Sequence, residues 1–340
     1  MATKQFEGRS RIKDVAEYAG VSTATVSHVI NGTRFVSEET KIKVEEAMRD
    51  LNYSPNAFAR SLRSQQSNTI GLIIPVKHTD TSNFFFMTIA HGIESKLREH
   101  GYHLIFSNSN EDIEIEKSQI EVFNSQLVDG LIIAPTAEEH SYLSESLTKD
   151  YPVVFIDRRP SEYEGACVLV NNLEGTYKAI QHLIEKGHKK IGYISGPLGL
   201  TTSDERLAGY KAALNDNGIE LTEHYVKVGD STQDNGYLLT KELVESREVS
   251  ALFIANNVMT LGAVMYLQEQ KVSIPSSLAV IGFDDYEWTR ITVPPLTVIK
   301  QPAFELGERA AEMILSQIKE SDNEEKEVRL DTELIIRGSC

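Results

Sequence analysis

Two short apolar stripes separated by a glycine constrain the start of this chain more than any other feature. Ile12, Val15, Ala16 and Ala19 recur at i, i+3, i+4 and i+7, the spacing of one helical face. Gly20 follows where a helix C-terminus favours a left-handed residue. Val21 can plug the corner, and Ser22 can cap a second helix through its hydroxyl. Val26, Val29 and Ile30 turn that helix onto the first. Thr23, Ala24, Thr25, Ser27, His28 and Asn31 are left on its outer side, all small or able to hydrogen-bond. Spacing alone fits a helical hairpin inside any core. The outward face fits a helix braced to enter a DNA major groove.

The pattern then changes twice. Ser37 can cap a third helix, with Glu38 and Glu39 in the first turn where the helix dipole favours acid, and Val44, Ala47, Met48 and Leu51 form its apolar stripe. This compact head ends near Tyr53. Asn56 can cap a short piece over 57–64, and residues 65–68 read as a linker. From Thr69 onward, short runs rich in Ile, Val and Leu alternate with helical stretches. The runs are 70–74, 104–106, 131–134, 153–156, 168–170, 191–194, 252–255, 279–282 and 297–299; the helices are 85–100, 113–126, 175–186, 204–217, 233–246, 257–270 and 303–318. Strands without polar alternation are those buried on both faces, as in parallel sheets covered by helices. Two doubly wound α/β halves are therefore expected behind an all-α head.

Charge separates the same regions. The 340 residues carry a net charge of −16, but residues 1–63 hold ten Lys/Arg against eight Asp/Glu. The remaining 24 basic and 42 acidic residues give the rest of the chain −18. An acidic body repels phosphate, which leaves the weakly basic head as the nucleic-acid surface. Cys167 and Cys340, far apart, suggest neither a disulfide framework nor a zinc site. Residues 1–10 are polar, and no stretch approaches the roughly 18 apolar residues of a membrane span. A cytoplasmic protein without a membrane partner is expected.

Specific strings go further. Lys13-Asp14-Val15-Ala16, Ala19-Gly20-Val21-Ser22, Thr25-Val26-Ser27 and Asn31-Gly32 resemble the head of the lactose-repressor (LacI/GalR) family of bacterial regulators. The resemblance continues through Val36-Ser37, Leu51-Asn52-Tyr53, Pro55-Asn56 and Ala59-Arg60-Ser61-Leu62, and returns in Gly282-Phe283-Asp284-Asp285 and Pro294-Pro295-Leu296-Thr297. It implies a helix-turn-helix head over 1–54, a hinge helix and linker over 55–68, and a periplasmic-binding-protein-like body. The body's first lobe would be 69–160 plus 302–324, and its second 161–301 plus 325–340. It also implies a homodimer, possible extension to a tetramer, double-stranded operator DNA as partner, and a small-molecule effector between the lobes.

On this reading Thr23 and Ala24 reach base edges, while Thr25, Ser27 and Asn31 bond phosphates. His28 stands where relatives often carry Arg, and imidazole cannot reproduce the bidentate grip of guanidinium on guanine. Asn56, Arg60, Leu62 and Arg63 would form the hinge contacts, with Leu62 wedged between base pairs in the minor groove.

Ligands of open α/β sheets bind beyond the carboxyl ends of strands. Asn83, Phe84, Asp157, Arg158, Asn256 and Asp284 fall there, with Trp288 just after. Arg206, in Arg206-Leu207-Ala208-Gly209-Tyr210, matches a family arginine that binds hydroxyls or carboxylates. Amides, carboxylates and guanidinium beside an aromatic ring suit a polyol. Asn257 and Ser231 depart from well-known relatives, and Arg158, Arg159, Arg206 and Lys300 leave a sugar acid or sugar phosphate open beside a neutral sugar. Each residue also has a plainer role: Asp284 or Asp285 as a helix cap, Arg206 as a surface partner of Asp204 or Glu205, Phe84 and Trp288 as core.

No Gly-x-Ser-x-Gly elbow, Walker loop, Gly-x-Gly-x-x-Gly after the first body strand or His-Glu-x-x-His pair occurs. His182 and His188 are separated by Gly187, against a shared metal. No enzyme activity and no cofactor are expected. The alternatives are a regulator gated by a protein corepressor and a solute-binding protein for sugar transport, which would have no use for the head.

Overall fold

The computed structural model describes residues 10–32, 34–53, 67–77, 83–126, 128–136, 139–147, 151–319 and 326–340, without the side chain of Asn83. It divides into two compact units, residues 1–67 and 68–340.

The first unit contains α1 (Ile12–Ala19), α2 (Thr23–Asn31) and α3 (Glu38–Asp50). Gly20 ends α1 at φ +68°, in the left-handed region that a side chain would strain. The next amide, that of Val21, donates to Ala16 O. Ser22 Oγ accepts the Thr25 amide at 3.1 Å, and Ser37 Oγ accepts that of Thr40 at 3.4 Å, so both expected caps form. The core is small: Val15, Ala16, Val26, Val44 and Ala47, ringed by half-buried residues including Ile12, Val29, Ile30 and Tyr53.

The second unit carries two six-stranded sheets. The first contains β1 (Thr69–Ile74), β2 (His103–Asn108), β3 (Gly130–Ile133), β4 (Val153–Ile156), β5 (Ala166–Val170) and β11 (Glu327–Leu330), in the order β11-β5-β4-β3-β1-β2. The second contains β6 (Ile191–Ser195), β7 (Val226–Val228), β8 (Ala251–Ile254), β9 (Ala279–Phe283), β10 (Thr297–Lys300) and β12 (Glu333–Ile335), in the order β12-β10-β9-β8-β6-β7. All pairings are parallel except β10 with β12. The runs at β3, β6, β8 and β9 are buried throughout, which is why they lack polar alternation.

Helices close both faces. In lobe one, α4 (Asn83–Glu99) packs against the helix Ala303–Ile318 so closely that a Cβ on Gly92 would strike the Phe304 carbonyl. Separate apolar clusters cover the two faces of each sheet.

The lobe boundaries need correction. β5 pairs with β4, and β11 pairs with β5, so residues 166–170 and 327–330 belong to the first sheet. The chain leaves lobe one at 171, not near 160, and its last crossing lies at 331–332, not at 325. The stretch around Arg159, where the family resemblance puts the boundary, is a loop within lobe one. Strands β7, β11 and β12 escaped notice because they are three or four residues long and lie at or near sheet edges.

Candidate functional site

Helix α2 presents the first candidate surface. Thr23, Ala24 and Asn31 are exposed, whereas Thr25, Ser27 and His28 are half-buried. Asn31 Nδ2 donates to Ser27 O at 2.8 Å and Ser27 Oγ at 3.1 Å, which ties two of the phosphate-bonding candidates together. Val26, completely buried, fixes which side faces out. Asn56, Arg60, Leu62 and Arg63 lie outside the described residues.

The second site is a cleft at the carboxyl ends of both sheets, with a cavity volume of about 150 Å3. Asp157 follows β4 and Asp284 follows β9, the fourth strand in sequence in each sheet. Both aspartates have left-handed backbones, φ +65° and +69°, a region open to Asp but unfavourable for most side chains. Each is 7% exposed. The lobes therefore offer matching carboxylates across the cleft.

Arg206, on the helix Thr201–Asp216, lies among them. Its Nε donates to Asn172 Oδ1 at 2.8 Å, its Nη1 to Ala255 O at 2.7 Å, and its guanidinium sits 3.6 Å from the Phe283 ring centroid. Burial pulls Arg206 below its ordinary pKa, against the opposing pull of Asp284 and Asp157. Burial likewise pushes Asp157 up, against Arg158 and Arg206. For Asp284 burial outweighs hydrogen bonding from Gln301 and the charge of Arg206, raising its pKa to about 6. The surface pairing considered for Arg206 does not occur: Glu205 instead meets Arg329 at 2.8 Å.

Arg158 lines the cleft as expected, but its charge is paired with Glu111, which lines it too. Its Nη1 and Nη2 donate to the Glu111 carboxylate at 2.6 and 3.3 Å, and Nη1 also donates to Pro135 O at 3.0 Å. Asn256 touches the cleft, but its Oδ1 caps the helix Asn257–Glu269 by accepting from Val258 and Met259. Its neighbour Asn257, 4% exposed, lines the cleft as well.

Two aromatic expectations fail. Phe84 and Trp288 do not line the cleft; Phe85 and Phe86 do. Phe84 occupies an outer position on the first turn of α4 and is 65% exposed, while the next two positions turn inward. Phe84 and Trp288 instead line an adjoining groove with Tyr286, Lys300 and Phe304. Gln301 is the main residue missed. It lies on the β10 crossover, donates from Nε2 to Asp284 Oδ1 at 2.8 Å, and buries an Oε1 that has no hydrogen-bond partner among the described residues. The Lys300-Gln301-Pro302 crossover was legible; which of its side chains faces the ligand was not. Asp230 and Ser231 complete the lobe-two wall.

Among the described residues no helix is long and apolar enough to cross a membrane. Residues 67–337 match the model of periplasmic binding proteins and the sugar binding domain of the LacI family, and residues 11–56 match that of bacterial regulatory proteins of the lacI family. The chain is 38% identical over 333 residues to the HTH-type transcriptional repressor PurR of Vibrio atlanticus, spanning 96% of this chain and 98% of that one. It is 37% identical over 332 residues to the ribose operon repressor of Escherichia coli K12, spanning 97% and 99%. A solved lac repressor dimer bound to operator and the anti-inducer ONPF superposes with a TM-score of 0.86 at 29% identity, covering 98% of this chain and 99% of that one.

Proposed function

Because this chain belongs to the LacI family of bacterial regulatory proteins, we propose that this DNA-binding transcription regulator is a cytoplasmic, homodimeric repressor of carbohydrate-utilisation genes. It acts by binding, not by catalysis. Thr23 and Ala24 read bases, Thr25, Ser27 and Asn31 fix register on phosphates, His28 contributes a base contact of its own, and Asn56, Arg60, Leu62 and Arg63 supply the hinge contacts. A neutral polyol in the cleft shifts operator affinity by about 1–3 kcal/mol, the usual size of such coupling.

The buried carboxylate–guanidinium–amide set around one cavity carries this reading. Asp157 and Asp284 accept sugar hydroxyls, Arg206 and Asn257 donate to them, and Phe85 and Phe86 cover an apolar sugar face. Gln301 Oε1, buried and without a partner among the described residues, is one more acceptor.

Charge favours a neutral sugar over an acid or phosphate. Arg158 is neutralised by Glu111, and Lys300 lies in the neighbouring groove. Arg206 and Lys77 then face Asp157, Asp230 and Asp284 in the same lining, so an anion gains little there. The name of the ribose operon repressor points to a sugar as well.

A thermal-shift series on the full chain tests this. Pentoses and hexoses, their phosphates, their acids and nucleobases are compared, because a ligand selective for the native state raises Tm by mass action. A neutral sugar that raises Tm and changes operator affinity supports the proposal. A response confined to anions or nucleobases, or none to any of them, overturns it.

A further inference from the structure

Beside the cleft, one aromatic pair joins the lobes. Phe84, at the start of α4 in lobe one, has its ring centroid 5.8 Å from that of Tyr286 in lobe two, with the planes tilted by 50°. Tyr286 also belongs to the cleft chemistry. Its hydroxyl accepts Asn257 Nδ2 at 3.0 Å and lies close enough to the Asp284 carboxylate to help hold its pKa down. Asp284 in turn accepts from Gln301, which sits on the crossover between β10 and the helix Ala303–Ile318. A continuous chain of contacts therefore runs from lobe one through Phe84, Tyr286 and Asp284 to an inter-lobe crossover.

Polar bonds join the same lobes at other points. There the Arg159 amide of lobe one donates to Thr201 Oγ1 of lobe two at 3.1 Å, and Arg329 of lobe one pairs with Glu205 of lobe two. The aromatic and the polar contacts hold the same lobes by different means. Separation would return an already exposed phenylalanine and its tyrosine partner to water at the first, and would break polar bonds that water replaces at the second.

We propose that Phe84 and Tyr286 form an aromatic latch that holds the lobes closed and couples closure to the effector contacts at Asp284 and Asn257. The coupling half rests on the reading that a polyol fills the cleft; the latch itself does not. Tyr286 is a positioning residue here, acting through Asp284 and Asn257. A tilted ring pair of this kind shifts a two-state equilibrium by roughly 2- to 10-fold, so its loss should change the closed-to-open ratio by that factor.

Hydrogen exchange at the Arg159 amide, whose inter-lobe bond to Thr201 involves neither ring, reports lobe opening apart from the latch itself. In the full chain without ligand, Phe84→Ala and Tyr286→Ala should each speed exchange there by roughly 2- to 10-fold. The double variant should exceed either single one only slightly. Phe84→Leu should restore most of the protection. Phe304→Ala, which alters the same groove from lobe one alone, should leave it unchanged. Wild-type exchange in Phe84→Ala, or an equal acceleration in Phe304→Ala, overturns the latch. D-ribose is then added as probe. Protection of Arg159 in the wild type that needs several-fold more D-ribose in Phe84→Ala supports the coupling, and equal protection in both overturns it. No protection by D-ribose counts against this sugar in the cleft and leaves the ligand-free result to decide the latch.

Discussion

The head and the body place functional groups in opposite environments. In the head, Thr23, Ala24 and Asn31 stand exposed on a helix held by five buried apolar side chains. In the body, Asp157, Arg206 and Asp284 are each 7% exposed and come from positions 157 to 284. DNA presents a dense polyanion with its own groove geometry, so a reader can remain solvated and be built from consecutive residues. A small neutral ligand has no charge to attract it. Its site must enclose it and fix desolvated hydrogen-bonding groups in advance, which takes two sheets and a hinge.

If that contrast holds, the two regions should fail separately. Arg206→Ala should have the largest effect, because it leaves Asp157 and Asp284 without their shared cation. Removing one member of a buried charged set costs about 2–5 kcal/mol, so effector affinity should fall by about 30-fold or more in calorimetry. Operator binding should stay within about twofold. Comparable loss of both functions would break the separation.

Val26→Ala attacks the head. Val26 is completely buried in a five-residue core, and its truncation costs about 2 kcal/mol. Small cores have little surplus stability. Specific operator binding should fall and the head's exchange protection should drop, while effector affinity is unchanged.

The environments also account for what was legible. Gly20, the Ser22 and Ser37 caps and the stripes of α1 and α3 are local events, and the structure forms each within a residue or two of expectation. The nine apolar runs of the body all become strands for the same reason. The ligand face is not local. Phe84, Phe85 and Phe86 are identical in type, and only the onset of α4 decides which two turn inward. Asn256 and Asn257 differ only in which one the helix takes as its cap. Gln301 gains its place from Asp284, seventeen positions earlier.

Acidity sharpens the contrast by about tenfold. Burial raises Asp284 to about 6, and its ionised form is the one that accepts hydroxyls. Effector affinity should therefore fall about tenfold from pH 7 to pH 5, and Asp284→Asn should flatten the profile. Ligand-free stability runs the other way. A carboxyl whose folded pKa exceeds its unfolded value contributes stability below about pH 4 that is lost as pH rises through about 6. A flat affinity profile in the wild type would remove Asp284 from the contact. The smallest effect belongs to the head: Ser22→Ala removes a cap worth about 1 kcal/mol, lowering operator affinity a few-fold without altering the ratio between liganded and unliganded states.

Operator titration of the full chain tests the central claim most directly. Duplexes are first selected by the chain from a random palindromic library, then titrated at fixed salt with and without the sugar that stabilises the body. The account predicts a preferred palindrome whose affinity changes about 5- to 150-fold with the sugar, and an Arg206→Ala chain that keeps the palindrome but ignores the sugar. Equal affinity for selected and bulk DNA in every condition, or a normal sugar response from Arg206→Ala, would contradict it.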